Sequence, residues 1–76
     1  MEFKVKLVSV QDVKDFVNAA VIVDGSIDVS HNRYTVDGMS FLGLLSLDLS
    51  HPLNVKIVGD EASAEKFKKA VSQFLV

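Results

Sequence analysis

From Glu2 to Val8 apolar and polar side chains alternate, with Phe3, Val5 and Leu7 on one side and Glu2, Lys4 and Lys6 on the other. That two-residue period predicts a half-buried first strand. At Val10 the period lengthens: Val10, Val13, Phe16, Val17, Ala20 and Val21 fall along one stripe of a helix, with Ser9 where an N-cap is needed and Asp12 placing negative charge in the first turn. The helix is expected to stop before Asp24-Gly25. Ile27 and Val29 then alternate with Asp28 and Ser30, and beyond a polar turn at His31-Asn32, Tyr34 and Val36 alternate with Arg33, Thr35 and Asp37, which predicts a β-hairpin. Gly38 ends it. Ser40 stands before Phe41-Leu42-Gly43-Leu44-Leu45, so a capped second helix is expected within Met39 to Asp48, closed at His51-Pro52 because the residue before proline is pushed out of helical conformation. Leu53, Val55 and Ile57 alternate with Asn54 and Lys56 in a fourth strand that stops at Gly59-Asp60. Ala64, Phe67, Ala70, Val71, Phe74 and Leu75 form the last helical stripe, with Glu65, Lys66, Lys68 and Lys69 outside.

The predicted order is β-α-β-β-α-β-α. Because each strand offers a single apolar face, the economical fold is α+β, an antiparallel sheet with helices gathered on one side. Composition narrows the function more than the fold. A chain of 76 residues is expected to form one domain, residues 1–76, with no room for a separate catalytic unit. Cysteine is absent, which removes disulfides, thiolate metal sites and thiol nucleophiles. Eight basic against ten acidic residues leave a net charge of −2, without the basic excess that binding a phosphate backbone requires, so no nucleic-acid partner is expected. No apolar run reaches the length of a membrane span, and the start Met1-Glu2-Phe3-Lys4 does not open like a signal peptide. These features lead to an expectation of a cytoplasmic protein with no membrane partner.

The segment from Ser26 to Gly59 carries a family likeness. Ile27-Asp28-Val29-Ser30, the turn at Asn32 and Met39-Ser40-Phe41-Leu42-Gly43-Leu44-Leu45-Ser46-Leu47 resemble the hairpin and serine-started second helix of HPr proteins. These are the small phosphocarriers of the bacterial sugar phosphotransferase system. The order of elements matches over essentially the whole chain, and the resemblance implies an open-faced sandwich of four strands covered by three helices. Ser40 falls on the regulatory serine of the Gram-positive members. The family joins its first strand to its first helix through a Gly-Leu-His-x-Arg-Pro type motif whose histidine carries phosphate, and this chain has no such motif. Read back from Phe16-Val17, the histidine position falls at Ser9, the arginine at Gln11 and the proline at Asp12; read forward from the strand, the loop is shorter and the histidine is deleted. Phosphohistidine is a labile phosphoryl donor and phosphoserine a stable ester, so a relay through Ser9 is not expected. Ser9 reads as an N-cap at the start of a helix whose anion seat is vacant.

The remaining candidates are few. His31 in the turn and His51 before Pro52 read as exposed loop histidines, with no third histidine or acidic spacing to complete a metal set, so neither a metal nor any other cofactor is expected. Ser40 reads as a helix cap and also as a candidate regulatory phosphorylation site. Met39, Phe41, Leu42, Leu44, Leu45 and Leu47 put six large apolar side chains into ten residues, more than a two-turn helix can bury. Phe41, Leu42 and Leu45, with Met39 beside them, are the expected outward residues of a protein-binding patch. The stretch Lys66, Lys68 and Lys69 reads as a solvated helix face.

Together these readings describe a degenerate HPr-like module, not an enzyme, that docks through its second helix onto a phosphotransferase-type enzyme or a regulator. Homodimerisation through the same patch is compatible with this reading and with both alternatives to it. Two alternatives stand beside it: a working phosphocarrier that uses another residue, tested at His31 and His51, and a small-molecule regulatory domain of the ACT type.

Overall fold

The alternations and stripes become eight elements in the computed structural model, which describes residues 1–76. They are β1 (Glu2–Val5), α1 (Val10–Ala20), β2 (Gly25–His31), β3 (Tyr34–Asp37), α2 (Phe41–Leu45), β4 (Leu53–Gly59), α3 (Glu61–Ala70) and a closing 3-10 turn at Ser72–Phe74. The β-α-β-β-α-β-α order is the expected one. Each helix begins on a polar cap: Ser9 Oγ accepts from Asp12 N at 3.1 Å, Ser40 Oγ from Gly43 N at 3.1 Å and Asp60 Oδ2 from Ser63 N at 2.8 Å, each satisfying a backbone donor that the helix itself cannot.

The four strands form one sheet in the order β1-β4-β2-β3, every neighbouring pair antiparallel. The register aligns Phe3, Val55, Val29 and Val36 in a row across the sheet, beneath the helices. On the opposite, solvent face the row reads Glu2, Lys56, Asp28 and Asp37. Lys56 has an acid on either side, whereas Asp28 and Asp37 face one another directly. Like charges at that spacing repel. Asp37→Asn keeps the Oδ1 that accepts from Met39 N at 2.9 Å, and we expect it to stabilise the fold by about 0.2–1 kcal/mol in low salt. A urea titration checks this, and the gain should shrink as salt screens the pair.

β1 is shorter than the alternation suggests. Its ladder with β4 runs from Glu2↔Lys56 to Val5↔Leu53, and Pro52, lacking an N–H, precedes the end of that ladder. Lys6 N turns instead to the Phe74 carbonyl at 2.8 Å, Val76 N reaches the Lys4 carbonyl at 3.2 Å, and a bridge joins Val5 to Leu75. The C-terminal segment thereby pairs the free side of β1, an edge that would otherwise present unpaired donors and acceptors.

The core holds 17 buried apolar residues and no buried polar side chain. Ile27, Val29, Leu53, Val55 and Ile57 supply it from the sheet, Val13, Phe16 and Ala20 from α1, Leu44 from α2, Ala64 and Phe67 from α3. Phe67 packs edge-on against Phe16 at 5.1 Å between ring centres and lies 6.3 Å from Phe3. Of the expected α1 stripe, Val17 is only partly buried against this core, and two members lie outside it. Val10 is half exposed and Val21 largely so, because α1 meets the sheet over its middle turns while Val10 opens the helix and Val21 leaves it as the C-cap. Ala70 is likewise exposed. Lys66 and Lys69 are exposed as expected, but Lys68 folds back, its ammonium 5.7 Å from the centre of the Phe3 ring.

Candidate functional site

The start of α1 is capped by the chain's own side chains. Ser9 lies in extended conformation with its hydroxyl on Asp12 N, and Asp12 Oδ2 accepts from Val8 N at 2.9 Å. The anion seat expected here is filled only in part: the Ser9 hydroxyl takes Asp12 N, while the Asp12 carboxylate takes Val8 N, which lies before the helix. Asp12 adds a fixed negative charge that favours the helix dipole and repels a second anion. Ser9 is a capping residue in this geometry, and Gln11 turns away to donate to Asp15 Oδ1 at 3.0 Å.

The second helix has five residues, somewhat shorter than the two turns expected for it within Met39 to Asp48. Gly43 has a specific use within it, since a methyl group there would come within 3.0 Å of Ser40 Oγ and crowd the cap. The expected outward set is corrected as well. Phe41, Leu44 and Leu45 stand at the i, i+3, i+4 spacing of a single helical stripe. Leu44 is fully buried, and Phe41 and Leu45 are half-buried against the core beside it. Leu42 is left on the far side at 76% exposure, with Met39 marginally exposed at 37% and Leu47 buried. The protein-binding patch proposed from composition therefore reduces to Leu42 and Met39 at the surface, backed by Phe41 and Leu45.

The two histidines are not isolated loop residues. His31 is the last residue of β2 and half-buried, and the hairpin turn is made by Asn32 and Arg33, with Asn32 in the left-handed region at φ 54°. Since β4 runs antiparallel beside β2 with Ser30 opposite Asn54, the end of β2 lies next to the loop that leads into β4. That loop brings His51 onto His31, the imidazoles stacked at 5.1 Å with 11° between their planes. Asp48 joins them, its Oδ2 3.7 Å from His51 Nε2. Its Oδ1 accepts from both Ser50 N at 3.0 Å and Ser50 Oγ at 2.5 Å. The Ser50 hydroxyl, then the Ser50 backbone N–H, hold the Asp48 carboxyl below its ordinary pKa, aided by the smaller influence of His51 and His31. The loop is tied down from below by Lys6, whose Nζ donates to the Leu49 carbonyl at 2.7 Å. The fold thus brings to the two histidines the acidic third group that composition and spacing did not supply. Asp48 and His51, three residues apart, were the legible part of the cluster; His31 joins only through strand pairing.

No family model matches this chain, and no curated protein matches it.

Proposed function

We propose that this protein is an HPr-like binding module that docks on a phosphotransferase-type protein through the surface around α2 and carries no phosphoryl relay at α1. The observation that carries this reading is the start of α1, where Ser9 is spent on capping and the Asp12 carboxylate stands beside it with no imidazole present. A transferable phosphoryl group needs a nucleophilic imidazole and surroundings that stabilise its negative charge, and at this position stand a serine hydroxyl that caps Asp12 N and a carboxylate that would repel it. The β-α-β-β-α-β-α order, the open antiparallel sheet and the Ser40 cap support the resemblance to HPr proteins. Leu42, a large apolar side chain exposed beside that cap, is the contact such a module would offer. Phosphorylation of Ser40 would add a doubly charged group at the same surface and so regulate docking.

The test uses the purified general enzyme of the phosphotransferase system with phosphoenolpyruvate. The chain should compete with an authentic HPr for that enzyme while accepting no acid-labile phosphate. Leu42→Asp should weaken the competition at least tenfold, a change of about 1.4 kcal/mol, with an unchanged thermal midpoint because the side chain is outside the core. Labelling of the chain would restore a working carrier, with His31 and His51 the acceptors to mutate. Absence of competition would remove the docking role on this enzyme.

A further inference from the structure

We propose that His31, Asp48 and His51 form a binding site for a divalent transition-metal ion of the zinc type. One donor atom from each of these residues can be chosen so that all three lie within 4.8 Å of one another. The set is chemically coherent: two imidazole nitrogens and one carboxylate oxygen suit zinc, and they leave a fourth position for water. Ligands at zinc-ligand distances in a tetrahedral site are separated by about 3.3–3.5 Å. The His51–Asp48 pair already stands at 3.7 Å, and the three donors lie within 4.8 Å of one another, so an ion would draw them together by up to about 1.4 Å and turn the two stacked imidazoles out of their nearly parallel planes so that both lone pairs converge on it.

The orientation of Asp48 is the second supporting feature. Ser50 holds Oδ1 through both its hydroxyl and its backbone N–H, which leaves Oδ2 facing His51. Metal-binding carboxylates are commonly fixed in this way by a hydrogen bond to the oxygen that does not ligate. Lys6, the nearby cation tied to the same loop, spends its ammonium on the Leu49 carbonyl. The ligands also come from two segments, the end of β2 and the α2–β4 loop, so an ion would clasp the hairpin to the entry of β4. This inference stands apart from the docking reading, and either can fail without the other.

Zinc chloride titrated into the full chain at neutral pH should give saturable one-to-one binding by calorimetry. The chain has two histidines, so the imidazole NMR signals of both should move together and reach their end point at the same equivalence. Zinc should raise the thermal midpoint. His31→Gln, Asp48→Asn and His51→Gln should each weaken zinc at least tenfold and remove the thermal shift, and Ser50→Ala should weaken it about tenfold by freeing the carboxylate. Calcium and magnesium, which prefer all-oxygen sites, should not reproduce the effect. If His31→Gln perturbs folding, the wild-type imidazole signals still decide. Absence of saturation up to millimolar zinc, or binding that depends on His51 while His31 is unmoved, would overturn the site.

Discussion

Phe67→Ala is expected to cost about 3–5 kcal/mol, the range for truncating a buried aromatic side chain. For a chain of 76 residues the whole stability is about 4–11 kcal/mol at the usual value per residue. The substitution therefore threatens the fold itself. Phe67 is fully buried, sits edge-on to Phe16 at 5.1 Å and faces Phe3 from α3, so the vacated space lies where α1, α3 and the sheet converge. Neighbours held on three separate elements cannot collapse into it together. Thermal unfolding followed by circular dichroism should fall by more than about 12 °C, since each kcal/mol moves the midpoint about 4–8 °C in a domain of this size. Leu42→Ala provides the contrast. Its side chain is 76% exposed, and truncation there should stay within about 0.5 kcal/mol. A loss at Phe67 no larger than at Leu42 would mean that this convergence is not the centre of the core.

Alanine at Gly25 or Gly59 is the second large effect, and its cause is backbone geometry. The two glycines pair with each other at the outer end of the β2–β4 ladder, with φ of 148° and 147°, values that side-chain-bearing residues rarely adopt. Space is lacking too. A methyl group on Gly25 would collide with the Val58 carbonyl oxygen, and one on Gly59 would collide with the Asp24 carbonyl oxygen and stand 2.6 Å from Gly25 Cα. Backbone must therefore move. Gly59→Ala should cost about 3 kcal/mol or more, the upper end for a residue forced into a sparsely populated conformation with the collision added. The movement would spread through the neighbouring ties, where Asp60 N donates to the Asp24 carbonyl at 2.8 Å and Asp24 N donates to Ser63 Oγ at 3.0 Å. Because both substitutions open the same ladder end, the double variant should cost less than the sum of the two singles. Chemical denaturation of the four-member cycle measures this, and strict additivity would show that the two glycines act separately.

The order of elements and the helix starts at Ser9 and Ser40 were legible because they depend on neighbours within one turn or one strand. Period two and period 3.6 are local properties, and a hydroxyl caps the backbone three residues ahead of it. A count of apolar residues does not give their geometry. Six large side chains around α2 suggested a broad exposed patch, yet the helix contains Phe41, Leu44 and Leu45 on one stripe and turns only Leu42 fully outward. The start of α1 is legible as a cap, but the bond from Val8 N to Asp12 Oδ2 is not, because it depends on the path of the strand exit.

By itself the sequence determined which residues seek the interior, where each helix begins, that the chain folds as α+β, and that no histidine stands at the start of α1. Those properties follow from spacing and residue type along a short stretch. Tertiary structure alone decided the strand order β1-β4-β2-β3, the pairing of the C-terminal segment on the edge of β1, and the meeting of His31 with Asp48 and His51. Each depends on which distant segments share a ladder, and that choice is made by the packing of the whole core around Phe16 and Phe67.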